Sequence, residues 1–260
     1  FNPTSEYQTR LGRILLVADA AHSIGALYNG ASAALMADVT IFSFHAVKNI
    51  TTAEGGCVCL NLPMQFDHNA EYKYLKMYTL NGQNKTAFEK QGGGWKYDIL
   101  FNGLKINMPD ICAAIGLAQI RKYKEQLLPL RKKVALAYHE SFKRFPWYVA
   151  PPLISSTRES SYHIFPLRIY GISECTRDQI IDDLVAKGIS VNVHFIPMPM
   201  LTYFKELDYS IDDYPNSYAA FANEISLPIY PQMKTEEINF VIISILDAVK
   251  THTPSLEKVY

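Results

Sequence analysis

VTIFSFHAVKNITTAEGGCVCL, running from Val39 to Leu60, is the stretch that decides the fold. Residues 39–43 form a short apolar, β-branched run, and residues 56–60 form a second one after Gly55-Gly56. Between them lie Ser43, His45 and Lys48, so chemistry-bearing side chains sit just past a strand end. Upstream, residues 14–18 (ILLVA) repeat the pattern and end in Asp19. Short apolar runs of this kind predict strands buried within a mostly parallel sheet. Polar residues at their carboxyl ends are where an α/β sheet places its ligands.

Working outward, residues 65–80 carry Tyr72, Leu75 and Tyr78 at helical spacing. Residues 81–103 are rich in Gly and Asn and predict a long loop, a feature usually functional or mobile in a compact domain. From Pro109 to about Leu127, Ile111, Ala114, Ile115, Ala118 and Gln119 fall on one helical face, and Pro suits the first turn. A second helix is expected over about 129–145, with Arg131-Lys132-Lys133 as its solvated face. After Ala150-Pro151-Pro152 the pattern predicts a strand over 163–170 and a helix from Thr176 to about Lys187, opened by a Thr176/Gln179 capping box. A strand over 191–195, helices over 215–226 and 235–250, and a frayed tail over 251–260 follow. The chain therefore reads as a large α/β domain over 1–124 and a smaller α+β domain over 125–260.

Composition narrows the function. The chain has 260 residues, 48% of them apolar, and a formal net charge of +0 from 25 basic and 25 acidic residues. That balance supplies no field for a nucleic acid or an anionic membrane. No apolar run approaches the roughly 18 residues of a membrane helix. Cys57, Cys59, Cys112 and Cys175 read as buried small apolar residues. The Cys57-x-Cys59 pair lacks a second pair at zinc-site spacing, so no metal is expected. Sparse cysteine usage suits a reducing, cytoplasmic compartment.

Taken one at a time, the polar residues have ordinary readings. Asp19 at a strand end forms a turn, Lys48 is solvated, and His45 is a satisfied polar group. Together they suggest more. A lysine partly buried at a strand end is a nucleophilic amine, and pyridoxal phosphate chemistry needs such an amine for a Schiff base plus a carboxylate on the pyridine nitrogen.

The strings themselves carry a resemblance. Asp19-Ala20-Ala21-His22-Ser23-x-Gly25, then Phe42-Ser43-Phe44-His45-Ala46-Val47-Lys48-Asn49, then Glu54-Gly55-Gly56, is similar to the DegT/DnrJ/EryC1/StrS family of sugar aminotransferases. Asn107-Met108-x-Asp110-Ile111, Gly116-Leu117-x-Gln119, Arg177-Asp178, His194-Phe195-x-Pro197 and Ser226-Leu227-Pro228 continue it in order over nearly the whole chain.

The resemblance implies a fold-type-I pyridoxal-phosphate transferase, with a mostly parallel sheet in the large domain and a homodimer sharing active sites. It implies that Lys48 carries the cofactor covalently and shuttles the proton, and that Asp19 faces the pyridine nitrogen. Ala21 would pack on the ring, His22 would lie near the ring hydroxyl, and Ser43 would touch the phosphate. Lys105 and Asn107 match a loop lent to the neighbouring subunit's phosphate, and His194 matches a substrate-side histidine. Pro197-Met198-Pro199 departs from the family's Pro-x-His. The implied reaction moves an amino group from glutamate to a nucleotide-linked keto-sugar, a 4-keto-sugar by the form of the Lys48 segment, in surface-polysaccharide or amino-sugar biosynthesis. The family's N-terminal block, with its phosphate turn and ring-stacking aromatic, has no counterpart before Phe1. On that ground the chain as given is expected to bind the cofactor poorly. The alternative is an N-terminally truncated, catalytically silent homologue that only dimerises or binds a partner.

Overall fold

The computed structural model describes residues 1–85 and 95–254. The chain forms two compact units, Phe1–Lys122 and Tyr123–Tyr260. The mixed α/β architecture expected from the sequence is the one observed.

In the first unit, α1 (Glu6–Leu11) is capped by the Ser5 side chain and ends at Gly12, whose φ of +72° lets the chain turn away. Arg13 then grips Asp38 with both ends of its guanidinium, at 2.6 and 2.5 Å. Asp38 also accepts from the Leu16 amide at 2.9 Å, which ties the approach to β1 against the start of β4. β1 (Val17–Asp19), β4 (Val39–Ser43) and β5 (Gly56–Leu60) form a three-stranded sheet in the order β1-β4-β5. Between β1 and β4 lies a small hairpin of β2 (Leu27–Tyr28) and β3 (Ala31–Ser32), turning on Asn29-Gly30 with both residues at positive φ.

β1 pairs with β4 in parallel, but β5 returns antiparallel to β4. The sheet expected there is mostly parallel, and β5 is its antiparallel member. Stretch 44–55 contains no crossover helix, and a direct return can only pair antiparallel. α2 (His68–Tyr78) follows, capped by Asp67. The ends of the expected long loop then pair with each other, Asn84 N donating to Asp98 O at 3.1 Å and Leu100 N to Gly82 O at 2.9 Å. Its residues 86–94 lie outside those described. α3 (Asp110–Lys122) closes the unit with only Gly116 buried, while Ile111, Ile115, Leu117 and Ile120 stay exposed.

The second unit starts with one wide turn, Tyr123–Leu127, continuing into α4 (Leu128–Phe142). β6 (Tyr148–Val149), β8 (Phe165–Ile169) and β9 (Glu224–Leu227) form an antiparallel sheet in the order β6-β8-β9, with β7 (Arg158–Glu159) preceding β8. α5 (Glu174–Ala186), the short α6 (Thr202–Lys205), α7 (Pro215–Ala222) and α8 (Thr235–His252) complete it. Tyr138, Phe142, Phe165, Leu167, Ile180, Ile225 and Ile245 are fully buried in one apolar cluster drawn from α4, α5, α8 and the sheet.

Several local expectations change. The helix cap of α5 is Ser173, which accepts from the Thr176 amide, so the helix starts earlier than a Thr176 cap allows. Residues 191–195 do not form a strand, and only Asn192 bridges to Ser226. Helix α7 stops at Ala222, and residues 224–227 are strand β9 instead of the expected helix end. Arg131 is not a solvated cation. It is buried, and its Nη1 donates to the carbonyls of Ile229, His163 and Tyr162 at 2.9, 3.4 and 3.5 Å. Lys132 is half-buried and ion-pairs with Glu159, and Lys133 alone of the three is exposed. Among the cysteines, Cys57, Cys59 and Cys112 are half-buried and Cys175 is exposed. Burial, then the neighbouring Cys59, pushes the Cys57 thiol up to about 12, which disfavours its thiolate form. Residues 255–260 of the expected frayed tail lie outside those described.

Candidate active site

The register of the first sheet organises the site. Asp19 pairs with Ile41 across β1 and β4, and Ser43 lies two residues further along. Side chains alternate along a strand, so Asp19, Ile41 and Ser43 share one face. Ala18, Thr40 and Phe42 share the other, where Thr40 and Phe42 are buried. Asp19 and Ser43 thus come to the carboxyl ends of two adjacent parallel strands, the position where an open α/β sheet takes ligands.

Beyond β1, the Ala20 amide donates to Ile41 O at 2.8 Å and holds the exit of the strand against β4. Asp19 Oδ1 accepts from the Ala21 amide at 3.0 Å, so the carboxylate does form the local turn that its position alone suggests. The carboxylate remains exposed, and Ala21 and His22 are half-buried just after it.

Lys48 sits on the loop that joins β4 to β5. The loop is closed at its neck: Phe44 N donates to Gly55 O, and Thr52 N donates to Phe44 O, both at 2.8 Å. Within it, the Lys48 amide donates to His45 O at 2.9 Å, and the next two residues, Asn49 and Ile50, are buried. The half-buried Lys48 side chain therefore rises from a segment anchored on both sides.

Gly55 and Gly56 make that neck feasible. Gly55 has φ +152°, and a Cβ there would lie 2.5 Å from Thr52 Oγ1 and 2.6 Å from Met108 Cε. A Cβ on Gly56 would lie 2.6 Å from the Phe42 carbonyl oxygen. Gly56 is thus required by close backbone approach, and Gly55 by its positive φ and the Thr52 side chain, a physical reason for the Glu-Gly-Gly string.

Two residues that the sequence did not single out for the site hold the loop from below. Gln119, on α3, accepts from the Thr51 amide at 3.1 Å and donates to the Thr51 carbonyl at 2.6 Å. Thr52 is fully buried, its hydroxyl donates to Glu54 O at 2.8 Å, and its methyl occupies the space that a side chain on Gly116 would need. The spacing of Gln119 within an apolar helix face was the available signal. An amide among apolar neighbours must satisfy its hydrogen bonds somewhere.

Lys105 and Asn107 lie on the segment after the long loop, where Lys105 bridges to Leu80 at the end of α2. Lys105 Nζ donates to Asn107 Oδ1 at 2.6 Å, so the two act on each other, and Met108 reaches Gly55. The structure therefore collects Asp19, Ala21, His22, Ser43 and Lys48 around two strand ends, with Lys105 and Asn107 on a separate segment of the same unit. His194 belongs to the second unit. There its backbone amide donates to Glu224 Oε2 at 2.9 Å, and its Nδ1 lies 2.7 Å from Ser226 Oγ. Glu224 and Ser226 were not anticipated. A single acid inside the apolar run FANEISL was the signal available.

As a donor set, an amine, a carboxylate at a strand end and a hydroxyl on the same face suit a carbonyl-bearing, phosphorylated heteroaromatic cofactor. Among the described residues no group of three or more His, Cys, Asp or Glu side chains could hold a metal, and no helix is long and apolar enough to cross a membrane.

Comparison with known proteins gives the same direction. The family model of the DegT/DnrJ/EryC1/StrS aminotransferases matches residues 8–246. The chain is similar to Spr1654 of Streptococcus pneumoniae, assigned as a sugar aminotransferase. The PMP form of that protein superimposes with TM-score 0.89 at 38% identity, over 97% of this chain and 63% of that one. Its PLP form gives TM-score 0.88 at 36% identity, over 97% and 62%. MJ1066 of Methanocaldococcus jannaschii, an uncharacterised protein, is 34% identical over 91% of this chain and 59% of its own length. The UDP-4-amino-4,6-dideoxy-N-acetyl-beta-L-altrosamine transaminase of Campylobacter jejuni is 30% identical over 93% of this chain and 61% of its own. The chain thus spans about three-fifths of the length of the curated relatives it matches.

Proposed function

Because the chain belongs to the DegT/DnrJ/EryC1/StrS aminotransferase family, we propose that it carries the lysine-bearing part of a pyridoxal-phosphate enzyme that moves an amino group from glutamate to a nucleotide-linked 4-keto-sugar. The observation that carries this reading is the placement of Asp19 and Ser43 on one sheet face, with the anchored Lys48 loop following Ser43. Similarity to a C. jejuni transaminase of a UDP-linked amino-sugar supports the substrate class. Similarity to a protein solved in PLP and PMP forms supports the cofactor.

Pyridoxal phosphate, when bound, supplies an aldehyde that condenses with a primary amine and a ring that withdraws electrons from the adjacent carbon. Every other contribution comes from the protein. Lys48 would hold the cofactor through its amine and, once displaced by the donor's amino group, would take the proton from the donor's amino-bearing carbon and deliver it to the carbon that was the cofactor's aldehyde. Asp19 would supply the carboxylate that keeps the pyridine nitrogen protonated. Ser43 would hold the phosphate through its hydroxyl, Ala21 would back the ring, and His22 would serve the ring hydroxyl. Lys105 and Asn107 serve the phosphate of the neighbouring subunit in a cytoplasmic homodimer. His194 orients the sugar substrate.

The test is reductive trapping. Borohydride treatment of the chain with no more than one equivalent of pyridoxal phosphate, followed by peptide mapping, leaves a phosphopyridoxyl label concentrated on Lys48, and Lys48→Ala removes it. A label spread over other lysines, or unchanged in Lys48→Ala, overturns the assignment.

A further inference from the structure

Strand β9 brings two buried polar side chains to one face. Glu224 is 2% exposed and Ser226 is 5% exposed. They are two residues apart on a strand, so they point the same way. On one edge β9 pairs with β8, placing Arg168 opposite Glu224. On the other, Asn192 exchanges backbone hydrogen bonds with Ser226, at 2.7 and 3.2 Å, and this aligns His194 with the two side chains.

The contacts form a chain. His194 Nδ1 lies 2.7 Å from Ser226 Oγ, Ser226 Oγ lies 2.5 Å from Glu224 Oε1, and Glu224 Oε2 takes the His194 backbone amide at 2.9 Å. Counting protons along it gives a definite answer. The backbone amide can only donate, so Oε2 is always an acceptor. When Glu224 is a carboxylate, Oε1 also accepts, and the single Ser226 proton is committed to it. Ser226 Oγ must then accept from His194, which places a proton on Nδ1 and, in the neutral ring, leaves the lone pair on Nε2. When Glu224 is an acid, its proton can sit only on Oε1. Ser226 then accepts from Glu224 and donates to Nδ1, and the histidine proton moves to Nε2.

We propose that Glu224, acting through Ser226, sets which ring nitrogen of His194 carries the proton, so that both are positioning residues for the substrate-side histidine. This rests on the reading of His194 given above. It adds a statement about substrate: with Glu224 ionised, Nε2 selects a hydrogen-bond donor, such as a sugar hydroxyl, and rejects an acceptor of the same shape.

The surroundings of Glu224 support a carboxyl that can take either form. Burial raises its affinity for a proton. The Ser226 hydroxyl, the His194 amide, and the positive charges of Arg168 on β8 and Arg177 on α5 oppose that rise. Arg177 is itself buried, bonds the Glu224 carbonyl at 3.4 Å, and is paired with Asp178 at 2.6 Å and Glu174 at 3.7 Å, so only part of its charge acts on the Glu224 carboxyl.

The experiment uses the 260-residue chain labelled with nitrogen-15 histidine and long-range proton–nitrogen spectra recorded as a series from pH 6 to pH 10, with His194 assigned by its loss in His194→Gln. At the alkaline end, where Glu224 is ionised, the wild type shows the proton on Nδ1. Glu224→Gln is isosteric, but its amide oxygen must face the backbone amide, so its NH2 donates to Ser226. That reverses the two ring-nitrogen shifts. Ser226→Thr keeps the wild-type pattern, and Ser226→Ala moves both shifts toward averaged values.

The same tautomer in wild type and Glu224→Gln overturns the proposal. If Glu224→Gln does not fold, judged by circular dichroism, unchanged shifts in Ser226→Ala overturn it instead. No cofactor is involved, so a failed lysine trapping and a failed tautomer reversal are separate results. A merely structural Glu224 would alter stability without exchanging the two nitrogen shifts.

Discussion

The two units bury apolar surface in opposite ways. In the second, Ile225 on β9 is 0% exposed and sits in a cluster whose every member lies between Val134 and Val249. In the first, Ile41 on β4, also a strand residue, is 43% exposed. So are its neighbours on that sheet face: Val17 at 55% and Val58 at 52%. The second unit encloses its own core, whereas the first presents a sheet face and most of α3 to solvent. Lys48 and its loop belong to the unit that is held by hydrogen bonds and glycine contacts more than by a closed core. The lesson is that the chemistry-bearing segment depends on local clasps, which can be broken individually.

The sharpest way to break this contrast is a matched pair of truncations. Ile225→Ala removes fully buried carbons and should cost ~2–5 kcal/mol. The buried Trp147, part of the same cluster, reports that loss by fluorescence during urea unfolding. Ile41→Ala should cost less than about 0.5 kcal/mol, as for other exposed substitutions. Equal costs would mean that the sheet face is covered in solution and that the contrast is false.

A smaller effect sharpens the idea of a clasp. Gln119→Ala strips both hydrogen bonds from Thr51 and should loosen the Lys48 loop by ~1–2 kcal/mol, with no matching change in the second unit. Hydrogen exchange at the Thr51 amide should then quicken by a factor of roughly 5–30. An unchanged rate would assign the anchoring to Thr52 and the buried Asn49-Ile50 pair instead.

The smallest effect concerns pH, and it has opposite signs in the two units. The Arg13 guanidinium holds Asp38 below the usual carboxylate range. Its stabilisation is therefore complete above roughly pH 4, the value of a free aspartate, and is lost as pH falls through the folded value. Burial raises Glu224. Its contribution is complete below about pH 4, the value of a free glutamate, and is lost as pH rises through the folded value. Asp38→Asn should flatten the acid side of the stability curve of the first unit, followed by amide exchange. Glu224→Gln should flatten the decline of the second unit at higher pH, followed by Trp147. Parallel slopes in both units would contradict the assignments.

How far the sequence can be read differs by element for physical reasons. Val39–Ser43 and Gly56–Leu60 are where the apolar runs place them, because a short β-branched run ended by Gly-Gly leaves few alternatives. The Lys48 segment announces its chemistry through unusual residues at close spacing. β9 was hidden because FANEISL continues an apolar period from α7, and only the strand's pairing with β8 separates the two. Residues 191–195 alternate like a strand, yet the His194 amide is taken by the Glu224 side chain, so no ladder forms there. Arg131 illustrates the same limit: three carbonyls from distant parts of the chain claim it, and no local pattern records them. Local chemistry was legible, whereas partners distant in sequence were not.

The stretch Ile14–Val17 has a practical consequence. These four apolar residues are all at least 45% exposed; the first three lead into β1 and Val17 begins it, at the edge of its sheet among the described residues. An exposed, uncharged, apolar edge is a template for adding strands from other molecules. During purification the chain should self-associate as concentration rises, and a lysine at position 15 should delay the onset of turbidity without disturbing Asp19 or Lys48.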